Sequence, residues 1–253
     1  MSQFPYLAVI VDFDRTLLHT DKTISPYTVE MLQNLQKSGV KLLAATARPE
    51  RAITSYCETI HFDAVTTLNG ARTVMRDSVL ENPICIESAE CILEQLCKIE
   101  GTVVSAETAS GIYANTDIPQ WMLTVVDDIQ KIPYREKIYK ILASHPQMPV
   151  EQISLKFPKD TYMTIAEHKL IQIMNTSATK WNGVQRMLET YHIPTERVIY
   201  FGDDNDDMEP MRHCGCGVAV SNALDCVKEI ADFVAESNDE DGVARFLLKA
   251  FLG

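Results

Sequence analysis

No stretch of this 253-residue chain concentrates positive charge, and its formal net charge is −12. Nucleic acid and anionic membrane are therefore not expected as partners, because both need clustered Lys and Arg. No apolar run approaches the roughly 18 to 20 residues of a membrane span. The opening residues, MSQFPYLAVIVDFD, have neither a charged leader start nor a small-residue cleavage site, so a cytoplasmic protein is expected. The seven cysteines include no CxxC pair, which speaks against a zinc site or a disulfide framework. Cys214-Gly215-Cys216 is the one close pair, and the thiols read as reduced and structural. None of the six histidines pairs with another at metal-ligand spacing, and no repeat or low-complexity segment is visible.

What is present suffices for one large domain or a domain with a sizeable insert, since 46% of the residues are hydrophobic. Short apolar runs alternate with amphipathic stretches, the pattern of parallel βα units. LAVIV (7–11) reads as a buried strand. SPYTVEMLQNLQKSG (25–39) reads as a helix with Ser25 as N-cap, Pro26 as first residue and Gly39 as stop. KLLAAT (41–46) is a second strand, followed by a helix around ERAITSYCETI; AVTTL (64–68) is a third, ending in Asn69-Gly70.

From about residue 84 to 175 the strands become two-faced: TVVSAE, GIYANT, ISLKF, TYMTIAE and LIQIM. Helices are expected among them over roughly 88–100 and 134–145. Such strands imply a separate α+β unit, half exposed to solvent. The βα pattern then resumes with a helix from near Thr179, strands RVIYF (197–201), GVAV (217–220) and ADFVA (231–235), and a last helix over about 241–252. The expected fold class is α/β. A doubly wound parallel sheet is formed by residues 1–80 and 177–253, with an α+β domain, residues 81–176, inserted.

In an open parallel sheet, ligands bind beyond the carboxyl ends of the strands. Asp12 and Asp14 leave the first strand at that edge, Thr46 and Arg48 leave the second, and GDDNDD (202–207) follows RVIYF. Up to six carboxylates, Asp12, Asp14, Asp203, Asp204, Asp206 and Asp207, would share one rim. Such a cluster needs a cation to stay ionised, and an all-oxygen donor set suits a hard ion, Mg²⁺ best. An EF-hand is excluded, because the acidic run follows a strand and lacks the twelve-residue loop ending in Glu. Thr179-Lys180 opens a helix whose amides and ammonium could face a phosphate. Together these groups are equipped for phosphoryl transfer.

In this order and at these strand ends, the four segments resemble the four motifs of the haloacid dehalogenase-like (HAD) superfamily. The insert between the second and third resembles its Cof-type phosphatase branch. DFDRT stands for the first motif, Thr46-Ala47-Arg48 for the second, Lys180 for the third and Gly202 to Asp207 for the fourth. TLNGA (67–71) and SNDEDGVARFL (237–247) resemble further segments of the same branch.

The resemblance implies a Mg²⁺-dependent phosphatase for a small phosphorylated metabolite, a sugar phosphate first and a phosphorylated cofactor second. Asp12 would be nucleophile and metal ligand. Asp14 would be the acid and base, with its carbonyl on the metal. Asp203 would bind the metal, and Asp207 would orient a metal-bound water or Lys180. Thr46, Lys180 and the amides near Phe13 and Ala47 would hold the phosphoryl group, beside Arg48 and Asp206. The insert would close as a cap.

Three positions depart from the family pattern. Arg15 replaces a Gly, so the loop after Asp14 is expected in a conformation that a side chain allows. Ala47 also replaces a Gly, and Asp206 replaces an Asn that contacts phosphate; its carboxylate calls for neutralisation by Mg²⁺, by Arg48 or by a proton. A sugar-phosphate mutase and a non-catalytic binder of phosphorylated ligands remain the alternatives. The acidic run 236–241 reads as a solvated loop near the rim. Monomer and homodimer both stay open.

Overall fold

A computed structural model of the chain describes residues 5–166 and 168–252. Its contacts divide it into one unit that runs to Leu80 and resumes at Thr179, and another spanning Glu81–Ala178. The first unit opens with β1 (Ala8–Val11), α1 (Pro26–Lys37), β2 (Lys41–Ala45), α2 (Thr54–Ile60), β3 (Ala64–Thr67), β4 (Arg72–Met75) and β5 (Ser78–Glu81). The second contains α3 (Ile86–Cys97), β6 (Val103–Thr108), β7 (Ile112–Ala114), β8 (Thr124–Val125), β9 (Ile138–Ser144), β10 (Thr161–Ala166) and β11 (Leu170–Asn175). The first unit then finishes with α4 (Lys180–Thr190), β12 (Val198–Gly202), α5 (Met208–His213), β13 (Cys216–Val220), α6 (Asp225–Ile230), β14 (Phe233–Ala235) and α7 (Gly242–Leu252).

The larger sheet has the order β14-β13-β12-β1-β2-β3-β4-β5. Its first six strands are parallel, and β4 adds to β3 antiparallel. All four residues of β1 and all five of β12 are buried, as central strands covered by helices on both faces must be. The register brings Val11 level with Phe201 on one side and Ala44 on the other. Asp12, Asp203 and Thr46 therefore emerge at one edge. The chain leading into β2 is set by α1, whose N-cap Ser25 accepts from the Thr28 N–H at 3.0 Å and whose first residue is Pro26. The hairpin strands β4 and β5 were not expected from the sequence. Among the described residues, no helix is long and apolar enough to cross a membrane.

The smaller sheet has the order β10-β11-β9-β6-β7-β8, with α3 packed on its apolar core. Two sequence expectations fail here. Residues 134–145 are not a helix; they hold β9, which pairs with both β6 and β11. Six of its seven residues are buried, so the strand has no alternation, and a short apolar run then does not distinguish helix from strand. ISLKF is not a strand. The backbone N–H and C=O of Lys156 bond instead to the Gln95 amide at 2.8 and 3.0 Å, which satisfies them without a ladder. The TYMTIAE strand is seen as β10, and Glu167 lies outside the described residues.

Candidate functional site

Four side chains meet beyond β1 and β12. Lys180 Nζ donates to Asp12 Oδ1 at 2.9 Å and to Asp207 Oδ1 at 2.6 Å, and all three residues are at least 96% buried. Asp203, 6% exposed, completes the group and accepts from Thr16 Oγ1 at 3.2 Å. Lys180 is delivered as the first residue of α4. Its N-cap Thr179 accepts from the Asn182 N–H at 3.1 Å. The turn after β3 abuts that cap: Gly70, at φ +93°, would place a Cβ 2.0 Å from the Thr179 carbonyl oxygen. Asp207 folds back over Gly202, where a Cβ would lie 2.4 Å from its own Cβ. It accepts from the Tyr200 hydroxyl at 2.6 Å and from the N–H groups of Asp203 and Asp204, both at 3.1 Å.

One ammonium faces three carboxylates. Burial pushes the Asp12 carboxyl well above its usual range, against the pull of Lys180, and Asp207 and Asp203 add to the rise. Burial, then Asp207, raises Asp203 to about 7. Burial alone would lower Lys180, but Asp12 and Asp207 outweigh it and keep the ammonium charged. Fully ionised, the three carboxylates carry more charge than that one ammonium balances. Oxygens of Asp12, Asp203 and Asp207 lie within 4.8 Å of one another, so the donor set and the charge both fit a hard divalent cation.

Asp14 does not join this cluster. Its carboxylate accepts from Arg48 Nε (2.6 Å), Arg48 Nη2 (2.7 Å) and Lys22 Nζ (2.7 Å). Burial would raise it, but the bonds from Arg48 and Lys22 win and hold it down at about 2. The shared rim of six carboxylates thus reduces to three, because the others have nearer partners. Asp204 is exposed and caps the turn that follows it. Asp206 is exposed and accepts a hydrogen bond from the Asn69 amide, so its neutralisation does not come from Arg48, whose guanidinium is turned to Asp14. The 236–241 run is more than a solvated loop. Asp239 accepts from the N–H and hydroxyl of Thr20, and Asp241 Oδ1 takes His19, Ser25 and Thr28.

Thr46 is buried, and its hydroxyl accepts from the Arg48 N–H at 3.1 Å, which leaves its proton to donate. Ala47 is exposed. Phe13 turns its ring into the core against Tyr56 and Phe62, with centroids 5.7 and 5.5 Å apart. Arg15 corrects an expectation: it adopts φ +56°, the left-handed conformation a glycine would favour, at a cost of about 1–2 kcal/mol. Sequence reasoning did not find Lys22, Tyr200, Thr16 or Asn69 as partners of the site. For Tyr200 a signal existed, since a hydroxyl in a fully buried strand must find an acceptor.

A family model described as haloacid dehalogenase-like hydrolase matches residues 9–247. Among curated proteins, a 5-amino-6-(5-phospho-D-ribitylamino)uracil phosphatase of Bacillus subtilis (strain 168) is 28% identical, over 99% of this chain and 99% of that protein. A pyridoxal phosphate phosphatase of Escherichia coli (strain K12) is 23% identical over 94% of this chain and 96% of its own length. Among solved structures, a haloacid dehalogenase-like hydrolase from Bacteroides thetaiotaomicron shares the fold with a TM-score of 0.87. It is 20% identical, covering 97% of this chain and 100% of that one.

Proposed function

Because this chain belongs to the haloacid dehalogenase-like hydrolases, we propose that it hydrolyses the phosphate monoester of a small metabolite, with Mg²⁺ as its cofactor. The observation that carries this reading is Lys180 between Asp12 and Asp207, beside a third buried carboxylate, Asp203. One Asp12 oxygen is tied by the ammonium, which orients the carboxylate so that it can act as a nucleophile.

Asp12 and Asp203, with the Asp14 carbonyl, would hold the ion. Asp207 is better suited to orient Lys180 than to bind the ion or a water on it, because each of its oxygens already accepts two hydrogen bonds, which fills its acceptor capacity. Bound Mg²⁺ would neutralise charge on the phosphoryl oxygens. Asp12 attacks phosphorus and the ester P–O bond breaks, leaving an acyl phosphate on Asp12. Asp14 gives the departing alkoxide its proton, then takes one from the water that attacks the acyl phosphate, which releases phosphate and restores Asp12. Before it can act as an acid, Asp14 must leave the clamp of Arg48 and Lys22; the incoming phosphate is an anion able to draw those cations away. The Thr46 hydroxyl and the amides of Phe13 and Ala47 would hold the phosphoryl oxygens, with Arg48 and Asp206 at their margin.

The unit Glu81–Ala178 is proposed as the cap that excludes water and disfavours bulky phosphoprotein substrates. A sugar phosphate is the first substrate class to test and a phosphorylated cofactor the second; the substrates named for the two curated relatives are small and polar. The deciding assay is hydrolysis of p-nitrophenyl phosphate with and without Mg²⁺, by wild type and Asp12→Asn. Mg²⁺-dependent turnover that the substitution abolishes is expected. Undiminished turnover by Asp12→Asn would refute the assignment of the nucleophile.

A further inference from the structure

Arg15 has no part in the hydrolytic scheme, yet the fold holds it firmly against the acidic cluster. Its Nε lies 3.5 Å from Asp203 Oδ2, while the other oxygen of that carboxylate is taken by Thr16. Its Nη2 donates to the Asn222 carbonyl at 3.0 Å, and Asn222 Nδ2 donates back to the Arg15 carbonyl at 2.7 Å. Asn222 is itself fixed, since its Oδ1 accepts from the Asn238 N–H at 2.9 Å. Asn238 Nδ2 returns to the Leu18 carbonyl at 2.9 Å, so one network ties the loop at Arg15 and again at its C-terminal end. A left-handed arginine persists only where its surroundings over-determine it, and these bonds do so.

The placement sets two cations against one carboxylate. Asp203 is a carboxylate a Mg²⁺ ion would use, and the guanidinium approaches the oxygen that Thr16 does not occupy. We infer that Arg15 is an intramolecular competitor of the metal: it supplies part of the positive charge that the acidic cluster lacks, so this chain binds Mg²⁺ more weakly than it would with an uncharged residue at position 15. The inference rests on the reading of the cluster as a Mg²⁺ site. The Arg15 side chain is 58% exposed, so solvent screens it and its effect is moderate rather than blocking.

Calorimetric titration of Mg²⁺ into metal-free protein, without substrate, tests this on wild type, Arg15→Gln and Arg15→Gly. Gln removes the charge and keeps the backbone strain, whereas Gly removes both. Both variants are expected to bind Mg²⁺ about two- to fivefold more tightly than wild type. That gap should narrow as salt is raised, because the competing charge is exposed. Thermal melting of the metal-free proteins supplies the second readout, in which Arg15→Gly alone gains a few degrees from relief of the left-handed arginine. Arg15→Gln binding Mg²⁺ as wild type does, or more weakly, would overturn the inference alone. Absence of binding in all three proteins would overturn the metal reading and the inference with it.

Discussion

Replacing Lys180 by Met removes the one ammonium between Asp12 and Asp207 and fills its space with a chain of similar length. The lysine is 4% exposed, with both contacts at hydrogen-bond distance, so the substitution leaves two buried carboxylates facing each other beside Asp203. Breaking a buried pair in this way costs about 3–5 kcal/mol, because the orphaned charges stay desolvated. For a chain of this size about 2–4 °C of melting temperature goes with each kcal/mol, so the metal-free variant should melt roughly 6–20 °C below wild type. Mg²⁺ should return part of the loss, since a cation replaces some of the missing charge; its stabilising increment should be larger in the variant than in wild type. Differential scanning calorimetry with and without Mg²⁺ measures both. A metal-free loss below about 1 kcal/mol, or a smaller Mg²⁺ increment in the variant, would refute the claim that Lys180 balances this cluster.

Tyr200→Phe removes one hydrogen bond to the buried Asp207 and should cost about 1–2 kcal/mol in urea melts, with the fold intact by circular dichroism. Gly70→Ala would drive a Cβ into the Thr179 carbonyl at a backbone angle that already disfavours a side chain. It should cost about 2 kcal/mol or more, and it should lower kcat by shifting the helix start that carries Lys180. Burial, reinforced by Cys216, raises the Cys214 thiol to about 12 from 9.0. The unfolded chain therefore loses this proton first, so stability is unaffected below pH 9 and falls by about 1 kcal/mol per pH unit above it, until about pH 12. Cys214→Ala should flatten that alkaline limb of the melting curve; an unchanged slope would show that the thiol contributes nothing to it.

Much of the chemistry was readable from local pattern. Ser25-Pro26 and Thr179-Lys180 are helix starts in the sequence and in the structure, because a cap and a first-turn proline act through neighbouring residues alone. AVIV and VIYF are strands in both, and the aspartates that follow them emerge at the parallel edge where the topology puts ligands. Local pattern failed at Ile138–Ser144, where burial on both faces erases the alternation that marks a strand, and at ISLKF, where a glutamine side chain takes the bonds a neighbouring strand would have made.

Within the site, the sequence alone determined which residue types arrive at the rim, since Asp12, Thr46 and Asp203 directly follow apolar strands and a parallel sheet puts ligands beyond those strand ends. Only the tertiary structure decided how the charges pair. Asp14 turns to Arg48 and Lys22, whereas Asp12 and Asp207 share Lys180 and Asp203 faces Arg15. Charge pairing depends on distances of a few ångströms between segments up to 188 residues apart, Arg15 and Asp203 among them, and on how far each group is withdrawn from water. Neither quantity is encoded in spacing along the chain.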